Sequence, residues 1–317
     1  MLLSVDFLKT LLMIEKIYDI AIIGGGMAGC ACAVYASRFN LKVALFAEMP
    51  GGTITQTHLV ENYPGYKSIS GPELGLKFVE HGKAFGAEFI LKKVLDVKKK
   101  NEIFEIQTLK ENFQARSIVI ATGTEHMHLN TPGEKEFQNK GVSYCATCDG
   151  AFFKNKIVCV VGAGDSAAKE ALFLSQYCKH VYILCRKEDI HPEPINEKRV
   201  EETKNIEVRP FSEIEEVFGD ETGVKGVKLK DGNKIDLEGV FVEIGRKPRT
   251  EAFQSLNLEV DKVGRIFIDR VSRTNVAGVF AAGDITAWQN EPKWDQGIGG
   301  AFEGSAAAYA VFLYLNK

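Results

Sequence analysis

One pattern is written twice in this chain, and the repetition constrains the fold more than any bulk property. Residues 18–29, YDIAIIGGGMAG, are an apolar stretch running into Gly24-x-Gly26-x-x-Gly29. Residues 156–167, KIVCVVGAGDSA, do the same with Gly162-x-Gly164-x-x-Ala167. Each copy continues into a helix-like stretch (ACAVYASRFN, AKEALFLSQY) and then a strand-like one (LKVALFAE, KHVYILCR). One constant offset superimposes the copies, from Gly24 on Gly162 to Val43 on Val181. The first glycine of such a turn makes the tight bend, and the second lets backbone approach a pyrophosphate. The third position, Gly or Ala, permits close helix–strand packing, while the helix N-terminus faces negative charge. A lone GxGxxG is weak. Two in the same strand–turn–helix–strand context predict an α/β chain with two Rossmann-like, doubly wound dinucleotide-binding units.

The copies differ where an adenosine ribose would sit. Counted from the first glycine, Glu48 falls where Arg186 falls in the second copy. A carboxylate accepts hydrogen bonds from free ribose hydroxyls, which suits FAD or NAD. An arginine backed by Lys187 suits the 2′-phosphate of NADP. One unit is therefore expected to hold FAD and the other a nicotinamide donor.

The 317 residues, 45% apolar and 26% charged, suffice for two packed domains. A formal net charge of −3 provides no basic footprint for nucleic acid. Lys98–Lys100 precede Asn101 and read as a solvated hairpin. Asp6 and Lys9 interrupt the opening MLLSVDFLKTLLM, and no small-residue cleavage site follows, so no signal peptide is expected. Met13 is a second candidate start, which would leave residues 1–12 as an extension outside the fold. No run of about 18 apolar residues is read, and no membrane span is expected. Seven cysteines, an odd number, read as mostly reduced in a cytoplasmic protein, with Cys159 and Cys178 as small core residues and Cys30 and Cys32 pointing apart on a helix.

Cys145 and Cys148 stand apart from these, in YCATCDG at 144–150. Such a pair could hold half a zinc site, close a structural disulfide or pass electrons. Zinc calls for a second close ligand pair, and none follows at suitable spacing, so no metal is expected. A hydride donor, a flavin and a dithiol form a chemically ordered relay, and the redox reading is preferred.

On these residues the chain resembles low-molecular-weight thioredoxin reductase, a class II pyridine nucleotide-disulfide oxidoreductase, from Asp19 to the last helix. The matching stretches are GGGMAG, PGG at 50–52, ENYPG at 61–65, ATGT at 121–124, CATCDG, VGAGDSA, EIGRKPRT at 243–250 and TNVAGVFAAGDIT at 274–286. A pair placed mid-chain, with no histidine after His191, separates it from larger disulfide reductases that resemble glutathione reductase.

The resemblance implies an FAD domain of residues 1–123 and 250–317, interrupted by an NAD(P)H domain of 124–249 that carries CATC. The FAD contacts it implies are Gly24, Gly26, Met27, Ala28 and Gly29, then Glu48, Gly52 and Asn62. Ala121, Thr122 and Gly123 follow, with Gly283, Asp284 and Gln296. Those for NADP are Gly162, Gly164, Asp165, Ser166 and Ala167, with Arg186, Lys187 and His191. Cys148 would face the flavin, Asp149 would carry the proton, and Cys145 would attack the disulfide of a thioredoxin-like protein; family members are homodimers.

Two departures qualify this. The family clamp His-Arg-Arg followed by Arg is Cys185-Arg186-Lys187 and His191 here. The Arg-Gln pair after AAGD becomes Asp295-Gln296 at the end of a longer loop holding Trp288 and Trp294, and an aspartate beside the flavin would alter its electrostatics. The alternatives are therefore a relay fed by NADH, ferredoxin or another donor, a flavin dithiol oxidase using oxygen, and a non-enzymatic redox sensor.

Overall fold

The computed structural model describes residues 16–291, 293 and 295–316; the candidate start at Met13, the 1–12 extension and Trp294 lie outside them. Glu125–Lys247 form one compact unit, and the chain up to Thr124 and from Pro248 forms the other. At the two crossings Met127 N–H donates to Gly245 O within the first of these, and Arg249 N–H donates to Gly123 O within the second.

The repeat read in the sequence extends to whole sheets. In the discontinuous unit five parallel strands lie in the order Val279–Ala281, Ile118–Ile120, Ile20–Ile23, Val43–Phe46 and Glu88–Ile90. In the inner unit the order is Val142–Ser143, Gly239–Val242, Ile157–Val161, His180–Leu184 and Ile206–Arg209, again all parallel. Each unit adds a three-stranded antiparallel meander, Val94–Lys100, Ile103–Thr108 and Asn112–Ala115 in one, Ile214–Asp220, Gly223–Leu229 and Lys234–Asp236 in the other. Lys98–Lys100 do end a hairpin arm, turning at Asn101 with φ 54°.

The central strands IAII, IVI and VALF are buried at every position, because both sheet faces are covered. Ile118, Ile120 and Phe46 pack on one side of the sheet and Ile22, Leu45 and Val119 on the other. Each such side chain contributes roughly 1.5–3 kcal/mol relative to exposure. The inner sheet is filled the same way, with Val158, Val160 and Phe241 on one side and Cys159, Val240 and Val242 on the other. Cys30, Cys32, Cys159, Cys178 and Cys185 are free and buried, and burial pushes the Cys30 and Cys178 thiols up to about 12 and about 11.

The helix Met27–Arg38 consists largely of small residues, and the helix Gly297–Leu315 lies on it at backbone distance. A Cβ on Gly304 would stand 1.9 Å from Ala28 O. This last helix amends the sequence expectation about membrane length, since its 19 residues are long and apolar enough to cross a bilayer. Its apolar face is explained by packing instead, with Ala307, Ala308, Ala310 and Val311 buried in the core.

Gly304→Ala should therefore cost about 2–4 kcal/mol, since neither backbone can yield cheaply. Gly65→Ala, at φ 106° with nothing within 4 Å, should cost only about 1–2 kcal/mol of backbone strain. Urea unfolding of the two variants checks the ranking.

Candidate functional site

Both glycine turns lie at the carboxyl ends of the parallel strands, at the point where strand order reverses. A Cβ on Gly24 would stand 2.0 Å from Ala121 O, and one on Gly162 would stand 2.2 Å from Glu243 O. Gly29 is equally constrained, 1.9 Å from Gly24 O. Gly164 is different: its φ is ordinary and no protein atom lies within 4 Å of the missing Cβ. Gly26 has only Gly52 Cα, at 3.7 Å. In both copies, then, the second glycine is not required by the protein's own packing and leaves room for something else.

Three helices, beginning after Gly26, Gly164 and Gln296, have no side chain capping their first turn. Their free N–H groups and positive dipole ends suit anionic groups. Ala121, Thr122 and Gly123 lie beside the first turn, Gly283 and Asp284 follow the strand Val279–Ala281, and Asn62 Nδ2 donates to Gln296 Oε1 at 3.0 Å. The structure thus brings together most of the first group of sequence-predicted residues. Glu48 carries an ion pair with Arg249 at 2.8 Å, a partner that sequence reading missed.

In the inner unit, Ser166 and Ala167 open the helix Asp165–Leu174. The Asp165 carboxylate is already engaged, accepting from Glu193 N–H at 2.9 Å and Asn196 Nδ2 at 2.7 Å and pairing with Lys169. Burial works against its charge, but these partners outweigh it and hold its pKa below the usual value. Cys185 is buried, while Arg186 and Lys187 are exposed just past the strand His180–Leu184. His191 N–H donates to Ala163 O, so the His191 backbone runs beside the second glycine turn.

Cys145 and Cys148 form a disulfide, with Cα atoms 5.3 Å apart. Cys145 is the buried N-cap of the short helix Ala146–Asp149, and Cys148 is exposed. Cys148 N–H donates to Cys145 Sγ at 3.2 Å. Ser143 Oγ donates to Asp149 Oδ2 at 2.6 Å and accepts from Cys145 N–H at 3.1 Å, which ties the carboxylate to the dithiol turn.

Two polar groupings behind this turn escaped the sequence reading. Glu134 accepts from Leu129 N–H, Asn130 N–H and Tyr144 OH at 2.7–2.8 Å, anchoring the residue before Cys145. Burial and that hydrogen bond push the Tyr144 pKa well above its ordinary value. The second grouping is Glu170, Glu243, His126 and Arg246. Glu170 Oε1 accepts from Ala146 N–H at 3.0 Å, while its Oε2 is buried without a hydrogen-bond partner among the described residues. Burial raises the Glu170 pKa to about 7 against the pull of Arg246. Burial and repulsion from Glu170 raise that of Glu243 to about 8. Burial, Arg246 and His128 lower that of His126 to about 4. Arg246 Nη2 lies 2.9 Å from His126 Nε2, which places the proton of the neutral ring on Nδ1, 3.6 Å from Glu243 Oε1. The doubled topology was the available signal for Glu243, which follows its strand as Ala121 follows Ile118–Ile120.

In the other unit, Lys293 reaches from the tryptophan loop to a buried ion pair with Glu303 at 3.1 Å. It also donates to Gly283 O and Thr286 Oγ1, and Gly283 N–H donates to Glu303 Oε2. Asp295, which replaces the expected arginine, is paired with Arg265 at 2.8 Å, so its charge is neutralised locally. Trp288 closes the short strand Thr286–Trp288 and is exposed.

Two dinucleotide-type crevices and a redox-active pair beside a carboxylate define a disulfide oxidoreductase. The sequence pattern of the pyridine nucleotide-disulphide oxidoreductases matches residues 18–303. A thioredoxin reductase of Listeria monocytogenes is 41% identical over 279 residues, 86% of this chain and 87% of that one. The thioredoxin reductase structures of Lactococcus lactis and T. acidophilum superpose with TM-scores of 0.90 at 35% identity. They cover 94% and 96% of this chain, and 99% and 100% of their own. The chain belongs to the thioredoxin reductase family of flavin-dependent disulfide oxidoreductases.

A stability profile should expose the buried carboxyls. A carboxyl with a raised native pKa keeps a proton that the unfolded chain has lost. Its stabilisation is complete below the ordinary carboxylate range and fades as pH rises through the native value. His126 has the opposite sign, costing stability as pH falls from the ordinary imidazole range toward about 4. Glu243→Gln should therefore gain roughly 2–5 °C in thermal midpoint on the parent protein between about pH 5 and about pH 9. Parallel melting curves across that range would show that Glu243 does not titrate in the fold.

Proposed function

We propose that this chain is a cytoplasmic, homodimeric NADPH–thioredoxin disulfide reductase. FAD is held by the discontinuous unit (residues 1–123 and 250–317), and NADPH by the inner unit (residues 124–249). The observation that carries the reading is a disulfide with one exposed sulfur, a hydrogen-bonded carboxylate beside it, in a unit that also holds an open glycine turn.

The residues present fit both cofactors. Gly26 leaves backbone room for a pyrophosphate at the helix Met27–Arg38, with Met27, Ala28 and Gly29 in its first turn and Glu48 toward the ribose. Gly52, Asn62, Ala121, Thr122 and Gly123 line the same side, with Gly283, Asp284 and Gln296 completing it. For NADPH the groups are Gly162, Gly164, the backbone of Asp165, Ser166 and Ala167, and the cations Arg186 and Lys187 beside His191. When bound, the two cofactors supply an electron pair that originates as hydride on the nicotinamide.

The chain's own residues do the rest. Two-electron reduction of Cys145–Cys148 leaves a thiolate and a thiol. Cys148 is the accessible sulfur for receiving electrons, and the Cys148 N–H stabilises a thiolate on Cys145. Asp149, held by Ser143, is placed to supply or remove the thiol proton. Cys145 then attacks the disulfide of a thioredoxin-like protein, and Cys148 resolves the mixed disulfide. Because Cys145 is buried, that exchange requires the turn to become more exposed.

Anaerobic titration with NADPH and, separately, NADH, followed by flavin absorbance, tests the donor. Near-stoichiometric bleaching by NADPH, with turnover on thioredoxin, is expected. Bleaching only by dithionite would overturn the nicotinamide assignment in favour of ferredoxin or another carrier, and oxygen uptake with dithiol alone would favour an oxidase.

Gly164→Ala separates ligand room from folding. With nothing within 4 Å and an ordinary φ, it should leave the melting temperature unchanged or raise it slightly, while raising the KM for NADPH about tenfold or more. An unchanged KM would remove this turn from the nucleotide site.

A further inference from the structure

We propose that Glu170 stores a redox-linked proton: reduction of the Cys145–Cys148 disulfide is accompanied by protonation of the Glu170 side chain, which the Ala146 N–H anchors to the dithiol turn. The inference rests on the disulfide reductase reading above and adds a positioning residue to it. Glu170 reaches the dithiol turn from a separate helix, Asp165–Leu174, and contacts the turn through backbone. Ala146, whose N–H it binds at 3.0 Å, is the residue directly after Cys145. A change of charge on the sulfurs and a change of charge on Glu170 are thus felt across one hydrogen bond.

The surroundings favour a proton on Glu170 once the turn gains negative charge. Its second oxygen, Oε2, is buried and has no hydrogen-bond partner among the described residues, so an anion there is poorly solvated and a proton has a place to reside. The charged groups acting on it are Asp149 from the dithiol turn, which repels it, and Arg246 from the strand Arg246–Pro248, which attracts it; Glu243, beyond the strand Gly239–Val242, feels its charge in turn. His126 and His128 complete the set. His126 stays neutral and already takes a hydrogen bond from Arg246. Burial keeps Glu243 protonated near neutral pH, so Arg246 faces the Glu170 carboxylate, and among the described residues this grouping offers no further cation to balance a new thiolate.

The step balances. The disulfide takes two electrons and one proton to give a thiol and a thiolate, breaking the S–S bond. The electrons come from the reduced flavin of the proposed reaction, or from an added dithiol that is itself oxidised to a disulfide. A second proton from solvent converts the Glu170 carboxylate to a carboxyl, so the charge of the turn and its backing does not change. When the thiolate is consumed in attacking the substrate disulfide, Glu170 returns its proton. Asp149 remains the group that exchanges the thiol proton, being half-buried and bonded to Ser143 rather than sealed behind the turn.

The test is infrared difference spectroscopy of the FAD-loaded enzyme, reduced anaerobically with dithiothreitol, beside its reduction equilibrium against the same dithiol at several pH values. Reduction should produce a protonated-carboxyl stretching band that shifts in D2O. The band should persist in Asp149→Asn and vanish in Glu170→Gln, whose amide oxygen still accepts the Ala146 N–H. Above about pH 7 the reduction equilibrium constant of the parent protein should change by up to about tenfold more per pH unit than that of Glu170→Gln. Absence of the band, its survival in Glu170→Gln, its loss only in Asp149→Asn, or identical pH slopes would each overturn the proposal. NADPH–thioredoxin turnover on the same parent sample reports separately on the reductase reading: turnover without the band defeats this inference alone.

Discussion

Everything at the two ligand crevices depends on backbone meeting backbone where no side chain could fit. Gly24 lies against the Ala121 carbonyl and Gly162 against that of Glu243, each at a distance a Cβ could not occupy. These contacts join two neighbouring central strands of each five-stranded sheet at their carboxyl ends, beside the gap where the strand order reverses. The second glycine of each turn borders that gap. Helix N-termini without side-chain caps point into it, so the chain presents unpaired N–H donors where an anionic pyrophosphate would lie.

Charge is handled differently in the two units. In the discontinuous unit the buried Lys293–Glu303 pair fixes the turn carrying Gly283 and Thr286, and Arg265 absorbs the charge of Asp295. The departure from the family pattern at Asp295 is therefore offset within the fold. In the inner unit burial keeps Glu243 and His126 uncharged near neutral pH and leaves a single buried carboxylate, Glu170, opposite Arg246 directly behind the dithiol turn. Burying unsatisfied carboxyl oxygen is costly for folding. Its position on the Ala146 N–H gives the cost a chemical use, since the same desolvation that opposes an anion stabilises a proton there.

Local patterns were legible wherever backbone geometry demanded a residue type. The duplicated glycine turns, the buried apolar strands after and before them, the Lys98–Lys100 hairpin and the Cys145–Cys148 pair all follow from short-range rules. The buried network was not legible. His126, Glu134, Glu170, Glu243 and Arg246 are scattered over more than a hundred positions and look like ordinary surface residues on their own segments. The same holds for Lys293, which in the sequence is one charge in a polar loop and in the structure is almost wholly buried. The last helix is long and apolar enough for a bilayer by length and hydropathy alone, yet it was expected as part of the fold, and its small residues seat it on Met27–Arg38.

What the sequence determined by itself was the architecture and the reactive pair. Two strand–glycine–helix units admit few topologies, because only glycine tolerates those turns and only a parallel sheet buries those strands on both faces. Tertiary structure alone decided which sulfur is exposed, which carboxylates are sealed from water and which cation each one faces. Those properties arise from distances between segments far apart in the chain, and the free energy of a buried charge depends on its surroundings rather than on its neighbours in sequence.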